Sequence, residues 1–159
     1  MTPDDLVEKT KEVLANTFVL YMKAHSYHWN VIGSDFPQLH KFFGKLYEEL
    51  HDAVDVLAEQ LRQLDSFAPA TLSRMVELST IEEDEKIPTA ANMVNNLITA
   101  NEKVIDSIKD CYKMAEQLEM YAHSNILQDR LSAHVKHNWM LKATAGKKSE
   151  DWPFRDRRL

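Results

Sequence analysis

The chain has 159 residues, of which 44% are apolar and 28% are charged, and its formal net charge is −6. Three glycines and five prolines leave few breaks for a β fold with many turns, so the composition predicts a single domain of long helices. The negative charge argues against a generally basic nucleic-acid-binding surface. A single cysteine, Cys111, excludes an internal disulfide and favours a reducing compartment such as the cytoplasm.

The first predicted helix begins close to the N-terminus. Thr2 suits the N-cap and Pro3 the first turn, and Asp5, the acid three residues after the cap, completes a capping pattern. The helix extends to about Trp29, and one side of it carries Leu14, Phe18, Tyr21, His25 and His28. The N-terminal residues are acidic and no long apolar run follows them. We therefore expect this segment to be neither a signal peptide nor a membrane span.

The second predicted helix, residues 37–65, carries the main candidate site. Its apolar residues recur at steps of three and four, which predicts one buried stripe: Leu39, Phe43, Leu46, Leu50, Val54, Leu57, Leu61 and Leu64. Four polar residues lie beside the stripe: His40, His51, Asp55 and Glu59. Together with His28 of the first helix, these are the ligand types of an iron or zinc site.

Distance decides whether these residues can share one ion. His40 and Asp55 are fifteen positions apart, which is about 22 Å along a helix. Metal–ligand bonds are only about 2 Å long, so these two residues of one chain cannot hold the same ion. Either the chain has two unrelated sites, or His28 and His40 of one chain meet the carboxylates of a second. A two-fold axis near the middle of the helix would create two identical shared sites in a dimer.

The second helix also contains Glu48-x-x-His51, an element of the kind that builds di-iron sites inside one helical bundle. Such a site needs a second element of this kind on another helix, and the sequence contains none. We therefore interpret Glu48 as solvated. His51 is either a surface histidine or one that contacts a metal ligand without binding the metal itself.

A long connection follows, between residues 65 and 88. It contains Pro69, a short amphipathic segment from Thr71 to Leu78, and an acidic run at residues 82–85. A connection of this length can carry the chain back along a bundle, so we predict that the second and third long helices run parallel. We interpret the acidic run as solvated surface, with attraction of cations as the alternative.

Two more long helices complete the predicted bundle. Thr89 suits the N-cap of the third, whose apolar stripe comprises Met93, Leu97, Val104, Ile108, Cys111, Ala115 and Leu118. The fourth is predicted from about residue 125 to residue 145, with Gly146 as its C-cap, and no Gly or Pro marks where it begins. The pair His134-x-x-His137 has metal-like spacing but no acids nearby, so we interpret both histidines as core or surface residues.

Residues 147–159 form a basic and aromatic C-terminal tail. Its basic and aromatic residues are Lys147, Lys148, Trp152, Phe154, Arg155, Arg157 and Arg158. Such interleaving can bind DNA phosphates and stack on bases, but Glu150, Asp151 and Asp156 dilute the charge. DNA binding and anchoring of the tail on the protein's own surface therefore stay open as alternatives.

One stretch resembles the signature of a known family. It reads His28-Trp29-Asn30-Val31-x-Gly33-x-x-Phe36-x-x-Leu39-His40, followed by Tyr47 and by Asp55-x-x-Ala58-Glu59, with Leu64 closing the helix. This pattern is similar to that of the Dps proteins, the mini-ferritins of starved cells, and helix number and length agree along nearly the whole chain. The resemblance implies an all-α, ferritin-like four-helix bundle with a long crossover that carries a short helix.

The resemblance also implies an activity. Twelve Dps subunits, arranged as two-fold dimers, form a hollow shell that oxidises Fe(II), typically with hydrogen peroxide, stores the mineral and protects DNA from oxidative damage. The ferroxidase site lies between two subunits, and Zn(II) can stand in for the Fe(II)/Fe(III) couple. The ligands and catalytic residues implied here are His28 and His40 from one subunit and Asp55 and Glu59 from its mate. The implied location is cytoplasmic or nucleoid-associated.

The chain departs from the family pattern at Gly44, where the family has an Asp one turn after the second histidine. The lost carboxylate removes a negative charge that attracts Fe(II) and favours Fe(III), and Gly in a helix costs about 1 kcal/mol relative to Ala. His51, one turn before Asp55, and His25, about one turn before His28, are candidate substitute ligands. A histidine-richer site suits Zn(II) and Fe(II) but supports Fe(III) less well.

Three functional hypotheses follow from the sequence. The first is an iron-oxidising and iron-storing shell. The second is the same shell with a ferroxidase site impaired at Gly44, which sequesters metal or organises DNA. The third is a helical binding module whose histidines are all structural. Stopped-flow measurement of Fe(II) oxidation separates the first from the others, and gel filtration tests the third, because a monomer cannot build a shared site.

Overall fold

The computed structural model describes residues 1–146, and the predicted tail, residues 147–159, lies outside this range. Within residues 1–146 the backbone forms five helices and no strands: α1 (Pro3–Asn30), α2 (Phe36–Gln63), α3 (Leu72–Leu78), α4 (Ala90–Gln117) and α5 (Tyr121–Thr144). The prediction of four long helices and one short helix is thus confirmed. None of the helices in this range has the length and apolar character that a membrane crossing requires.

Helix α1 begins with the predicted cap. The Thr2 side chain accepts a hydrogen bond of 3.3 Å from the backbone N–H of Asp5, and the Asp5 carboxylate accepts one of 2.7 Å from the backbone N–H of Thr2. These reciprocal bonds satisfy two N–H groups that have no partner inside the helix. The backbone hydrogen bond from Thr2 also lowers the pKa of the Asp5 carboxyl.

A tight turn folds α2 back against α1. Gly33 in this turn has a φ of +124°, which residues with a side chain rarely adopt. The rings of His28 and His40 then pack together near the turn, and those of Tyr21 and His51 pack farther from it. Residue numbers rise along one helix as they fall along the other, so α1 and α2 are antiparallel.

Contacts between α1 and α4 establish the direction of the crossover. Thr10, near the start of α1, contacts Cys111 near the end of α4, whereas Tyr27, near the end of α1, accepts a hydrogen bond from Asn96 near the start of α4. Helices α1 and α4 are therefore antiparallel. Since α2 is also antiparallel to α1, α2 and α4 run parallel, which confirms the predicted crossover.

Polar side chains attach the crossover to α1. The buried Asn16 accepts a 2.9 Å hydrogen bond from the Ser79 hydroxyl, just after α3. Asp84 accepts hydrogen bonds from the Tyr27 hydroxyl and from the ammonium of Lys23. The acidic run is exposed, as predicted, and its Asp84 carboxylate in addition neutralises a buried cation of α1.

Helix α5 packs antiparallel to α4 and begins earlier than predicted. Its first residue is Tyr121, four positions before the predicted start. The reason is Glu119, which has a φ of +57° and so makes the sharp turn that sequence patterns assign to glycine. At the other end Gly146 has a φ of +67°, which confirms its predicted place just after the last helical turn.

The core lies between the long helices. The largest fully buried side chains are Leu6, Leu14, Leu20, Tyr27, Phe43, Leu50, Leu57, Leu61, Met93, Leu97, Ile108 and Leu127. Most of the stripe predicted for α2 is buried, while Val54 and Leu64 are half-buried. Cys111 is a buried free thiol, as predicted, and burial raises its pKa to about 11, which keeps it protonated and unreactive.

A polar network joins α2, α4 and α5 inside the bundle. Arg130 donates two hydrogen bonds to Glu49, of 2.6 Å and 2.9 Å, and one of 3.0 Å to Nε2 of His134. His137 donates a bond of 2.7 Å to Glu49, and Nδ1 of His134 donates one of 2.7 Å to the Asn101 side chain. Both histidines of the His134-x-x-His137 pair are therefore structural, as predicted.

This network is sensitive to pH through Glu49. Burial raises the pKa of the Glu49 carboxyl, but hydrogen bonds from His137 and Arg130 outweigh burial and hold the pKa well below its usual range. A carboxyl whose pKa is lower in the folded state adds stability above its unfolded pKa of about 4.3 and loses that contribution as the pH falls toward the folded pKa.

We expect Glu49→Gln to lower the free energy of unfolding by about 2 kcal/mol at neutral pH. This is less than the roughly 3–5 kcal/mol of a fully buried ion pair, because the Glu49 side chain is 36% exposed. The difference from the wild type should shrink as the pH falls below about 4.3. Urea denaturation at fixed protein concentration measures this difference in unfolding free energy. The control is Glu48→Gln, which changes an exposed neighbouring residue. A difference that does not change on acidification would contradict this account.

Candidate metal centre

His28 on α1 and His40 on α2 lie face to face, with ring centres 3.8 Å apart. Nδ1 of His28 donates a 2.6 Å hydrogen bond to the backbone carbonyl of His40, and Nδ1 of His40 donates one of 2.7 Å to the carbonyl of His28. Because a carbonyl oxygen can only accept, both Nδ1 atoms carry a proton. In the neutral rings both Nε2 atoms therefore present a lone pair, which is the form of histidine that binds metal.

The missing side chain at Gly44 allows this arrangement. A Cβ at position 44 would lie 3.1 Å from both Cε1 and Nδ1 of His28, which is closer than ordinary van der Waals contact. The His28 ring therefore lies directly against the backbone of α2. The structure gives a steric reason for the departure from the family's aspartate.

A third histidine, His25, continues the cluster along α1. Its ring stacks on Tyr47 of α2, with centres 3.8 Å apart and planes inclined by 8°, and the ring centre of Trp29 is 3.9 Å away. Its Nδ1 lies 3.1 Å from the Tyr21 hydroxyl oxygen. Burial and two neighbouring histidines lower the pKa of His25, which favours its neutral ring.

Hydrogen bonding separates the histidines into two groups. In the bundle interior, both ring nitrogens of His123 and of His134 have protein partners. In the α1–α2 cluster, His25, His28 and His40 have a partner only at Nδ1 within residues 1–146. The first group is structural, whereas each ring of the second group retains one nitrogen for a ligand.

The other predicted ligands lie elsewhere on α2. Asp55 and Glu59 are exposed, and Asp55, the nearer of the two, is about 22 Å from His40 along the helix axis. His51 is also exposed, and its ring centre is 5.1 Å from that of Tyr21. In the described part of the chain, no three His, Cys, Asp or Glu side chains converge where a metal ion could bind. One chain thus presents a histidine half and a carboxylate half that it does not bring together.

Within residues 1–146, the bundle interior offers no alternative centre of the di-iron type. Di-iron sites inside helical bundles use glutamates from several helices. Here Glu49 forms an ion pair with Arg130, whose guanidinium keeps its proton in proteins and would repel a cation. Glu48 is exposed, as predicted.

Sequence reasoning did not assign a role to Tyr21 or to the Glu49–Arg130 pair. The spacing of Tyr21 and His25, four positions apart on one helix, was the available signal for their hydrogen bond. Glu49 and Arg130 are 81 positions apart, and nothing in the sequence connects them.

Comparisons with known proteins agree with this architecture. The family model of the ferritin-like domain matches residues 7–149. A DNA protection during starvation protein from Brevibacillus brevis is 33% identical over 130 residues, which cover 82% of this chain and 87% of that protein. General stress protein 20U from Bacillus subtilis is 32% identical over 143 residues, which cover 90% of this chain and 99% of that protein.

A solved structure extends the agreement to three dimensions. The Dps protein from Vibrio cholerae O1 is described as a member of a broad superfamily of ferritin-like diiron-carboxylate proteins. It matches with a TM-score of 0.86 and 25% sequence identity, and 89% of each chain is covered. The residues matched by the family model include both halves of the candidate site. The chain therefore belongs to the Dps family of ferritin-like proteins.

Proposed function

We propose that the protein is a ferroxidase subunit of an iron-storing shell, in which two chains build each metal site. The observation that carries this proposal is the His28–His40 pair, in which mutual hydrogen bonds leave both Nε2 atoms ready for a metal. The ligands that we assign are His28 and His40 from one chain and Asp55 and Glu59 from a second. Fe(II) is the substrate, and Zn(II), which accepts the same ligands without redox chemistry, is its surrogate.

A two-fold axis near the middle of α2 would bring the two halves together. If two α2 helices pack antiparallel about residues 48 and 49, position 40 of one chain lies opposite position 57 of the other. His40 would then face the turn that carries Asp55 and Glu59 of the second chain. The same rotation creates a second, identical site.

An apolar groove beside α1 supports a second chain as the partner. It lies between α1 and α3 and is lined in part by Phe18, Met22, Leu72 and Val76, and Leu72 is 73% exposed. The Phe18 ring packs against Tyr21, so the groove adjoins the histidine cluster. Contiguous exposed apolar surface of this kind is typical of an interface.

The stacked imidazoles suit a pair of iron ions. Their ring centres are 3.8 Å apart, close to the roughly 3.5–4 Å between the metals of two-metal sites. Each Fe(II) gives up one electron, and the two electrons break the O–O bond of hydrogen peroxide, which takes up two protons and leaves as water. Molecular oxygen is the alternative acceptor and takes four electrons. The carboxylates of Asp55 and Glu59 would balance the added charge of Fe(III).

Family membership supports the wider role. The Brevibacillus brevis relative is named for DNA protection during starvation, and the Vibrio cholerae structure for its diiron-carboxylate superfamily. We propose that twelve chains, as six two-fold dimers, remove Fe(II) and peroxide together and so prevent hydroxyl radicals from forming near DNA. The free thiol of Cys111 fits a cytoplasmic or nucleoid-associated location.

Gly44 supports a second candidate function. A site without the usual aspartate has one negative charge less for Fe(III), so the alternative is the same shell with impaired ferroxidase activity that sequesters divalent metal. Stopped-flow oxidation by Gly44→Asp separates the two. Faster oxidation than in the wild type would show that the native site is weakened. Slower oxidation than in Gly44→Ala, which places the same Cβ against the His28 ring, would show that another group already fills the place.

Complementation tests the shared site. His40→Ala and Glu59→Ala should each abolish rapid Fe(II) oxidation. Co-assembly of equal amounts should restore about one quarter of the wild-type rate, because half of randomly formed two-fold dimers are mixed and one of their two sites is intact.

The control for complementation combines two chains whose substitutions both lie in the histidine half of the site. Co-assembled His28→Ala and His40→Ala chains contain no intact site in any combination, so their oxidation rate should stay at background. Full activity of an isolated, monomeric wild-type chain would refute the shared site.

Gly44→Ala isolates the steric role of Gly44. The new methyl group would meet the His28 ring at 3.1 Å, so the ring must move by a few tenths of an ångström. We expect the Kd for Zn(II) to rise about tenfold, as for other changes that misorient a metal ligand. The free energy of unfolding should stay the same or rise, because Ala favours a helix by about 1 kcal/mol. Unchanged zinc affinity in calorimetry would contradict the steric account.

DNA binding by residues 147–159 is tested by ending the chain after Gly146. If the basic tail contacts phosphates, the shortened protein should lose its DNA mobility shift, and the shift of the full chain should weaken steeply with salt. Iron oxidation by the shortened protein should be unaffected. Equal DNA shifts for both proteins would assign no role to the tail.

A further inference from the structure

We propose that His25 is a third imidazole ligand of the metal centre, binding the same divalent cation as His28. This inference rests on the proposed function above and selects His25, rather than His51, as the residue that compensates for Gly44. The cation belongs to the first-row divalent ions that accept imidazole, such as Fe(II) and Zn(II).

The spacing of the rings suits this assignment. The ring centres of His25 and His28 are 6.1 Å apart, and their planes are inclined by 56°. Two imidazoles at this separation can converge on one ion with metal–nitrogen bonds of about 2 Å. The stacked rings of His28 and His40, in contrast, are nearly parallel and better placed for two neighbouring ions. His25 and His28 are also three positions apart on α1, so one rigid helix fixes their separation.

Tyr21 gives His25 the hydrogen-bond pattern of a metal ligand. A ligating histidine donates its other ring N–H to a fixed acceptor, which sets the tautomer and the ring orientation. The Tyr21 hydroxyl lies 3.1 Å from Nδ1 of His25 and can accept this bond. When the hydroxyl accepts from Nδ1, Nε2 of His25 presents its lone pair, as Nε2 does in His28 and His40.

The His25 ring is also held in place before metal binds. Tyr47 stacks on it at 3.8 Å, and Trp29 packs against it at 3.9 Å. A ring confined in this way loses little rotamer entropy on binding. The centre of the Tyr47 ring is 5.2 Å from that of His28, so one aromatic side chain positions both histidines.

His51 lacks these features. Its side chain is exposed, and neither ring nitrogen has a hydrogen-bond partner within residues 1–146. Its ring contacts Tyr21, but nothing in this range fixes its tautomer. The structure therefore favours His25 as the additional ligand.

Zinc binding to the assembled, full-length protein tests the proposal without iron oxidation. Diffraction at the zinc absorption edge should show an ion about 2.0–2.1 Å from Nε2 of both His25 and His28. His25→Phe retains an aromatic ring against Tyr47 but removes both nitrogens, and calorimetry should show a zinc affinity about 10–100-fold lower. Tyr21→Phe, which removes only the acceptor for Nδ1, should lower the affinity about tenfold. His51→Phe is the matched control and should leave it unchanged.

The outcomes distinguish this inference from the proposed function. Zinc on His28 and His40 but not on His25, with unchanged affinity in His25→Phe, would overturn the inference and leave the shared site in place. Loss of affinity in His51→Phe but not in His25→Phe would overturn it in favour of His51. Zinc absent from His28 and His40 as well would overturn the proposed function itself. Equal thermal unfolding temperatures of the variants establish that a lost affinity is not a loss of folding.

Discussion

The length and rigidity of α2 constrain any metal site that uses the polar residues along it. The helix has 28 residues and is therefore about 42 Å long, and it carries His40 near one end and Asp55 and Glu59 toward the other. A metal–ligand bond spans only about 2 Å, and no side-chain rotation closes the remaining gap. A site that uses both ends of α2 needs two chains. Metal binding at such a site would be coupled to assembly, because an ion held by two chains stabilises their association.

The same helix also takes part in a charged network with α5. Glu49 lies between the two halves of the proposed site, yet its carboxylate is committed to Arg130 and His137. This ion pair joins α2 to α5. The ion pair that stabilises the bundle and the metal ligands proposed at its surface are therefore different residues. A variant can lose one property and keep the other.

Much of the fold follows from sequence, because local signals are strong in this chain. The Thr2 cap, the stripe of α2 and the length of the crossover each predict what is found. The start of α5 does not follow, since Glu119 adopts a backbone conformation that its type rarely takes. For the site, spacing alone shows that two chains are needed to join His40 to Asp55. The hydrogen bonds at Nδ1 of His28 and of His40 depend on how α1 packs against α2, which no periodicity in the sequence encodes.

Gly44 shows why residue identity at one position is a poor guide to the chemistry of a site. From the sequence alone, glycine in place of the family's aspartate removes a carboxylate and should weaken the metal centre. In the folded chain it lets the His28 ring lie against the backbone of α2, and the ring centre of His25 is 6.1 Å from that of His28. If both imidazoles bind the same ion, the loss of an oxygen donor is matched by the gain of a nitrogen donor. Such a centre holds Fe(II) well and Fe(III) less tightly. Weak retention of the oxidised product would favour its release into the store, so the substitution need not reduce turnover.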